Sequence, residues 1–241
     1  MNTRYLIVNA DDFGQSRGIN RGIMEAHEQG IVTSASLMVR WPAAPEAAAY
    51  ARSHRSLSLG LHLDFGEWRC RKGRWLQLYE VVPIEDPRGV RDEAWRQLAE
   101  FRRFTGAEPT HLDSHQHIHR RSELEPVFLD MARQLNVPLR SYAPWIRYHG
   151  GFYGQDDTGT SLPERITVDA LLATLEGLDG AFTELGCHPG YADGLDSMYL
   201  AERAAEIQTL CDPRIRSALR SLQIDLRSFR DSAPSKNGGP Q

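Results

Sequence analysis

Cysteine is scarce in this chain: three in 241 residues, Cys70, Cys187 and Cys211, widely spaced and odd in number. That excludes a disulfide-stapled framework of the kind small secreted domains use. Long apolar runs are missing as well. Nothing approaches the ~20 consecutive residues a helix needs to cross a bilayer, so no membrane span is expected. A surplus of positive charge is also lacking. The formal net charge of −4 argues against a nucleic-acid partner, which would call for a basic chain. The first residues run straight into an apolar stretch with no signal-peptide pattern. Together with the odd cysteines, this makes a reducing cytoplasm the expected location. No internal repeat is visible, and homodimerisation stays open.

What the chain does have is clustered histidine. His111-Leu-Asp-Ser-His-Gln-His-Ile-His119 places four of the nine histidines and one carboxylate at alternate positions. If the stretch is extended, His111, Asp113, His115, His117 and His119 share one face, because a strand repeats every two residues. If it is helical, His111, His115 and His119 still stack. Context favours a short strand running into a loop, since Pro109 and Thr110 open it after one helix and Arg120, Arg121 and Ser122 close it before another. Imidazole is the commonest protein ligand for first-row metals, and packing rarely needs such a cluster. His111 is expected too far back along the strand to join a site at its end, which leaves His115 and His117 as the better ligand candidates. A polar surface strand without a ligand is the alternative.

The rest of the chain alternates between two periods. Strands are expected at 5–8, 31–39, 57–64, 138–142, 182–188 and 224–229. Helices are expected from Ser16 to the stop at Gly30, in an Ala-rich run to about Arg52, and from Val90 to Gly106. Further ones run from a capping box at Ser122 to Asn136, from Thr167 to Leu178, from Ala201 to Leu210 and from Arg214 to Leu222. Residues 65–88 and 143–163 are expected as long loops, rich in aromatics and therefore functional rather than disordered. Alternating strands and helices imply a parallel α/β sheet in one domain over 1–231, with 232–241 a disordered tail.

In such folds the active site gathers at the C-terminal ends of the strands. Asp11 and Asp12 follow the first strand, and two adjacent carboxylates there are costly unless a cation neutralises them. Ser16, not Asp12, is the expected helix cap. His62 ends the strand whose other face carries Leu57, Leu59, Leu61 and Leu63. On its own such a histidine is more often structural. His115, His117 and His188 complete a set of six groups at strand ends. One carboxylate and two imidazoles, with water in the remaining positions, make an open divalent-metal site of hydrolytic type. A spare aspartate can serve as base and His188 as acid, groups a closed structural site would not need.

Four segments carry a resemblance to a known family. Asn9-Ala-Asp-Asp-Phe-Gly14, Gly60-Leu-His62, Thr110-His-Leu-Asp-Ser-His115-Gln-His117 and Cys187-His-Pro-Gly190 resemble the signature motifs of the YdjC-like (ChbG/HpnK) carbohydrate deacetylases, in family order. The resemblance implies a distorted (β/α) TIM-like barrel of the NodB-like deacetylase type and removal of an N-acetyl group from an amino sugar or oligosaccharide. It also implies one divalent metal ion, Mg2+ or Zn2+, bound by Asp12, His62 and His115. Asp11 would be the base, His188 the acid, and Asp113 and His117 would stand just behind the ligands. The rival assignments are another metal-dependent amidohydrolase or a phosphoesterase, and a non-catalytic sugar- or metal-binding protein.

The substrate is expected to meet the long loops. Trp68, Trp75, Trp145, Tyr148 and Tyr191 are the candidates for stacking on pyranose rings, with loop packing as the alternative for each. The run Arg69, Arg71, Lys72 and Arg74 suggests either an anionic sugar or a solvated loop. This 65–88 stretch is also where the chain departs from the family pattern.

Overall fold

The computed structural model describes residues 3–71, 73–179, 182–193 and 197–232. The expected tail beyond Ser232, and Lys72 of the basic run, lie outside the described residues. The chain opens with β1 (Arg4–Phe13), buried on both faces from Leu6 onward as a central parallel strand must be. The Ser16 hydroxyl then accepts from Ile19 N and starts α1 (Arg17–Glu28), which buries Ile19, Ile23 and Ala26. β2 (Ser34–Leu37), α2 (Ala44–Ser53) and β3 (Ser58–Leu63) follow.

The segment 65–88 is not a loop. It forms an antiparallel hairpin of β4 (Gly66–Arg71) and β5 (Arg74–Glu80), a separate two-stranded sheet. Its charged residues mask the alternation, and β5 is exposed enough to need no apolar face. Next come α3 (Pro87–Thr105), ended by Gly106 in the left-handed conformation, and the short β6 (Leu112–Ser114). The histidine stretch leaves strand geometry at His115, where 3-10 turns span His115–Arg120 with Gln116 and His117 at φ 50° and 53°. The five alternate side chains therefore do not share one face.

Helix α4 (Glu125–Leu135) starts after Leu124 with no side-chain cap, so the box expected at Ser122 does not form. Residues 138–142 contribute only a single bridge, Leu112 to Leu139, rather than a strand. The second expected loop contains β7 (Ile146–His149). It is followed by α5 (Val168–Glu176), β8 (Phe182–Cys187), α6 (Ala201–Cys211), α7 (Pro213–Ser221) and β9 (Ile224–Leu226). Phe229, expected in the last strand, sits in a 3-10 turn beyond it.

Seven strands make one sheet in the order β6-β3-β2-β1-β8-β7, with β9 pairing the first residues of β1, and every pairing in it is parallel. Helices cover its outer side, and no β6–β7 pairing closes the ring among the described residues. This is the distorted, open form of a β/α barrel. Leu6, Val8, Ala10, Leu61, Leu63 and Leu185 build the core with the helix faces. Parallel order puts all the C-terminal strand ends on one rim. No helix among the described residues is long and apolar enough to cross a membrane.

Candidate active site

Asp11 and Asp12 come from an irregularity in β1. Pairing with β2 slips between Ala10 and Phe13, and Asp12 takes φ 65°, a conformation uncommon for a non-glycine residue. Strict alternation would have sent the two carboxylates to opposite sides. With the slip, both are buried and both line one cleft of about 510 Å³.

Around Asp12 stand the other expected ligands. Its Oδ1 lies 3.2 Å from His115 Nδ1 and 3.4 Å from His62 Nε2. Asp12, His62 and His115 each offer a donor atom within 4.8 Å of the other two. Behind them Asp113 Oδ1 pairs with His62 Nδ1 at 2.8 Å, which leaves Nε2 directed at Asp12. A carboxylate behind the imidazole is the usual support of a metal-bound histidine. Burial opposes protonation of His62, yet Asp113 and Asp11 outweigh it and push its pKa up to about 10. Such a site favours positive charge at this point. The buried His115 Nε2 has no hydrogen-bond partner. One carboxylate and two imidazoles fit an open three-ligand centre for a divalent ion. Asp11, His62 and Asp113 also cluster, but Arg140 already neutralises both of those carboxylates.

Arg140 was not anticipated. It is fully buried and grips Asp11 with two bonds, at 2.6 and 2.7 Å, while reaching Asp113 at 2.9 Å and Glu184 at 2.7 Å. Burial alone would raise the pKa of Asp11, but the guanidinium holds it below the usual carboxylate value. The same contest holds Asp113 low. Arg203, on α6, does this for Asp12, donating to Oδ2 at 2.6 Å. The local sequence carried no signal for Arg140, which falls in the middle of the strand expected at 138–142. Asn9 and Ser36 complete the floor, Asn9 Nδ2 donating to Asp11 Oδ1 and Ser36 Oγ to Asp113 Oδ2.

His188 faces Asp11 across the cleft, Nε2 to Oδ2 at 3.8 Å. Burial pushes its pKa down to about 4 against the pull of Asp11 and Asp12. Its backbone N–H donates to Glu206, which also accepts from the Tyr199 hydroxyl, and Tyr199 stacks on Tyr153 at 4.5 Å. His117 lines the cleft with its ring 5.6 Å from that of Tyr148, outside the donor triad. His111 lies deep below, bonded to Ser36 and stacked on Phe229, and His119 is tied to Ser114.

Among the aromatics, Trp75 and Tyr148 line the cleft, as do Tyr153 and Tyr199. The structure places the other three elsewhere. Trp68 packs partly against the core, Trp145 is exposed in a separate groove beside β7, and Tyr191 bonds to Glu25 on α1. In the basic run, Arg74 is exposed.

The chain is similar to known proteins. The family model described as YdjC-like protein matches residues 5–221. A carbohydrate deacetylase of Geobacillus stearothermophilus is 32% identical over 95% of this chain and 98% of its own length. A chitooligosaccharide deacetylase of Serratia marcescens is 29% identical over 95% and 99%. Among solved structures, a protein of Enterococcus faecalis V583 named for cellobiose-phosphate cleavage aligns with TM-score 0.76 and 25% identity, covering 96% of this chain and 100% of that one. A family 4 carbohydrate esterase of Streptomyces lividans, solved with acetate, aligns with TM-score 0.56 at 13% identity over 97% of each chain, a likeness of fold. With a family match over nearly its whole length and the motif residues gathered in one cleft, the chain belongs to the YdjC-like family.

Proposed function

We propose that the protein is a metal-dependent carbohydrate deacetylase that hydrolyses the N-acetyl group of an amino sugar or oligosaccharide. The observation that carries this is the meeting, in one cleft, of the Asp12–His62–His115 donor set with a second carboxylate and a second-wall histidine. A binding site alone requires neither of the last two.

Asp12, His62 and His115 would hold the ion, and the chemistry it supplies when bound is Lewis-acid polarisation of the acetyl carbonyl and acidification of water. Zinc suits two imidazoles and a carboxylate, and magnesium is the alternative. Asp11 acts as the base. Its Oδ1 already accepts from Arg140 and Asn9, whereas Oδ2 accepts only from Arg140, so Oδ2 keeps a lone pair for a proton. Arg140 keeps that carboxylate ionised. His188 is neutral near pH 7, because burial depresses its pKa. It therefore protonates the departing amine only after receiving a proton, which Asp11 Oδ2, 3.8 Å away, would relay through one bridging water.

The test is an acetate-release screen over N-acetylated mono-, di- and lipid-linked sugars, with and without chelator, followed by readdition of zinc or magnesium. Acetate release that chelation abolishes and one ion restores is the expected result. No acetate from any sugar, or phosphate release from phosphorylated substrates instead, would overturn the proposal.

A further inference from the structure

The hairpin of β4 and β5 leaves the core two residues after β3 and returns over the cleft. Its register slips between Glu67 and Trp68: Glu67 faces Tyr79 and Trp68 faces Gln77, so Leu78 is an extra residue. At that irregularity the hairpin is fastened from outside. Trp68 N–H donates to Gln116 Oε1 at 3.0 Å, and Gln116 Nε2 donates to Trp68 O at 2.6 Å. One side-chain amide thus pairs with the backbone as a neighbouring strand would. Gln116 follows the candidate ligand His115 directly and sits at φ 50°, with His117 at φ 53°. Two successive left-handed residues that are not glycine point to a conformation kept for a purpose.

Two hairpin side chains enter the cleft wall. Glu67 lines it with only 13% of its side chain exposed, its Oε2 3.9 Å from His115 Nε2, and it makes no hydrogen bond among the described residues. A carboxylate so largely removed from water, with one distant imidazole and no hydrogen bond, is costly, and a donor on an occupant of the cleft would relieve that cost. Trp75, further along the hairpin opposite Cys70, lines the same cleft while 58% exposed, with its indole open to an occupant. Hydroxyl donors next to an apolar ring face are the chemistry of a pyranose.

We propose that this hairpin, clamped to the metal-ligand loop by the Gln116 amide, is the specificity wall of the cleft, where Glu67 accepts a hydroxyl hydrogen bond from the sugar and Trp75 stacks on its ring. The inference rests on the carbohydrate deacetylase assignment and names how that site chooses its substrate. Glu67 is a binding residue and Gln116 a positioning residue that acts through it.

The test uses Glu67→Gln and Gln116→Gly, the latter because glycine accepts φ 50° and removes the clamp without adding strain. Acetate release from N,N′-diacetylchitobiose is followed with metal content and hydrogen exchange over residues 66–80. The KM of each variant should rise by about tenfold or more, the worth of one hydrogen bond to a charged group. KM should carry more of the loss than kcat, with metal content retained. Exchange in 66–80 should quicken in Gln116→Gly alone. Loss of metal from Glu67→Gln, a fall confined to kcat, or unchanged KM in both variants would overturn the inference. So would unchanged exchange in Gln116→Gly. A wild-type protein that releases acetate from no sugar refutes the deacetylase assignment instead, and the exchange result then judges the clamp by itself.

Discussion

Replacing Arg140 with methionine should destabilise the protein, and by more at neutral pH than in acid. The side chain is fully buried and faces three carboxylates, Asp11, Asp113 and Glu184, at 2.6 to 2.9 Å. Methionine fills much of the volume but leaves the three acids without their cation. Removing one partner of a buried ion pair costs about 3–5 kcal/mol. For a chain of this size that corresponds to a fall in Tm of roughly 6–20 °C. The sign of the pH dependence follows from the two aspartates. Burial opposes their ionisation, but Arg140 overcomes it and depresses both folded-state values. Groups of that kind contribute stability above their unfolded pKa and lose it as pH falls through the folded value. In Arg140→Met the burial penalty remains without the cation, so the folded values move above the unfolded ones. The acids then cost stability at pH 7, and that cost fades as they become protonated. Glu184, pushed up to about 7 by burial even with Arg140 beside it, moves the same way. Urea denaturation of metal-free wild type and variant at pH 7 and at about pH 4.5, just above the unfolded Asp and Glu values, reads the difference. A loss that is equal at the two pH values, or below ~1 kcal/mol at pH 7, would refute the account, because it would mean that the acids do not depend on this cation.

Three further outcomes are expected. Asp12→Asn should bind metal weakly and regain activity in excess ion. Asp11→Asn should keep its metal, lose about 10²–10⁴ in kcat and resist such rescue; metal analysis beside acetate release separates the two, and reversed behaviour would exchange the roles. Trp75→Ala should raise KM for the sugar while Trp145→Ala should leave it alone, since only the first lines the cleft; equal effects would show that the groove beside β7 also takes part. Gly60→Ala should lower stability by about 1–3 kcal/mol, because its Cβ would stand 2.4 Å from the His111 ring held against Phe229; an unchanged Tm would mean that the ring yields freely.

The parts of the fold that were legible are those in which one physical rule acts alone. β1 opens with an apolar run, β3 alternates leucine with small and polar residues, and α1 and α3 carry both their periodic face and their end signals. The hairpin of β4 and β5 was not legible, since its strands lie outside the core and show charged residues where alternation should appear. Strand β7 was hidden for a related reason. It is four residues long with a single buried side chain, Ile146, and only its pairing with β8 makes it a strand. At residues 138–142 the pattern misled, because the ladder stops after the Arg140 N–H pairs with Leu112 O: Ser141 turns to φ 68° and ends the extended run.

The site divides along the same line. Asp11, Asp12, His62, His115 and His188 were legible because each stands at the C-terminal end of a recognisable strand and carries chemistry that packing does not need. Their neutralising partners were not. Arg140 is 129 residues from Asp11 and Arg203 is 191 residues from Asp12, and nothing local announces that either guanidinium points inward. Yet the acids required them. Four carboxylates, those of Asp11, Asp12, Asp113 and Glu184, are almost wholly buried around one end of the sheet. One divalent ion cannot neutralise the three aspartates together with a glutamate, and it could not touch Asp113 or Glu184 without displacing Arg140. Two buried arginines therefore divide the work: Arg140 takes the three acids behind the ligands, and Arg203 takes one oxygen of Asp12. The other oxygen, Oδ1, is the one that faces both imidazoles, and on the proposed function it would be the one that meets the metal.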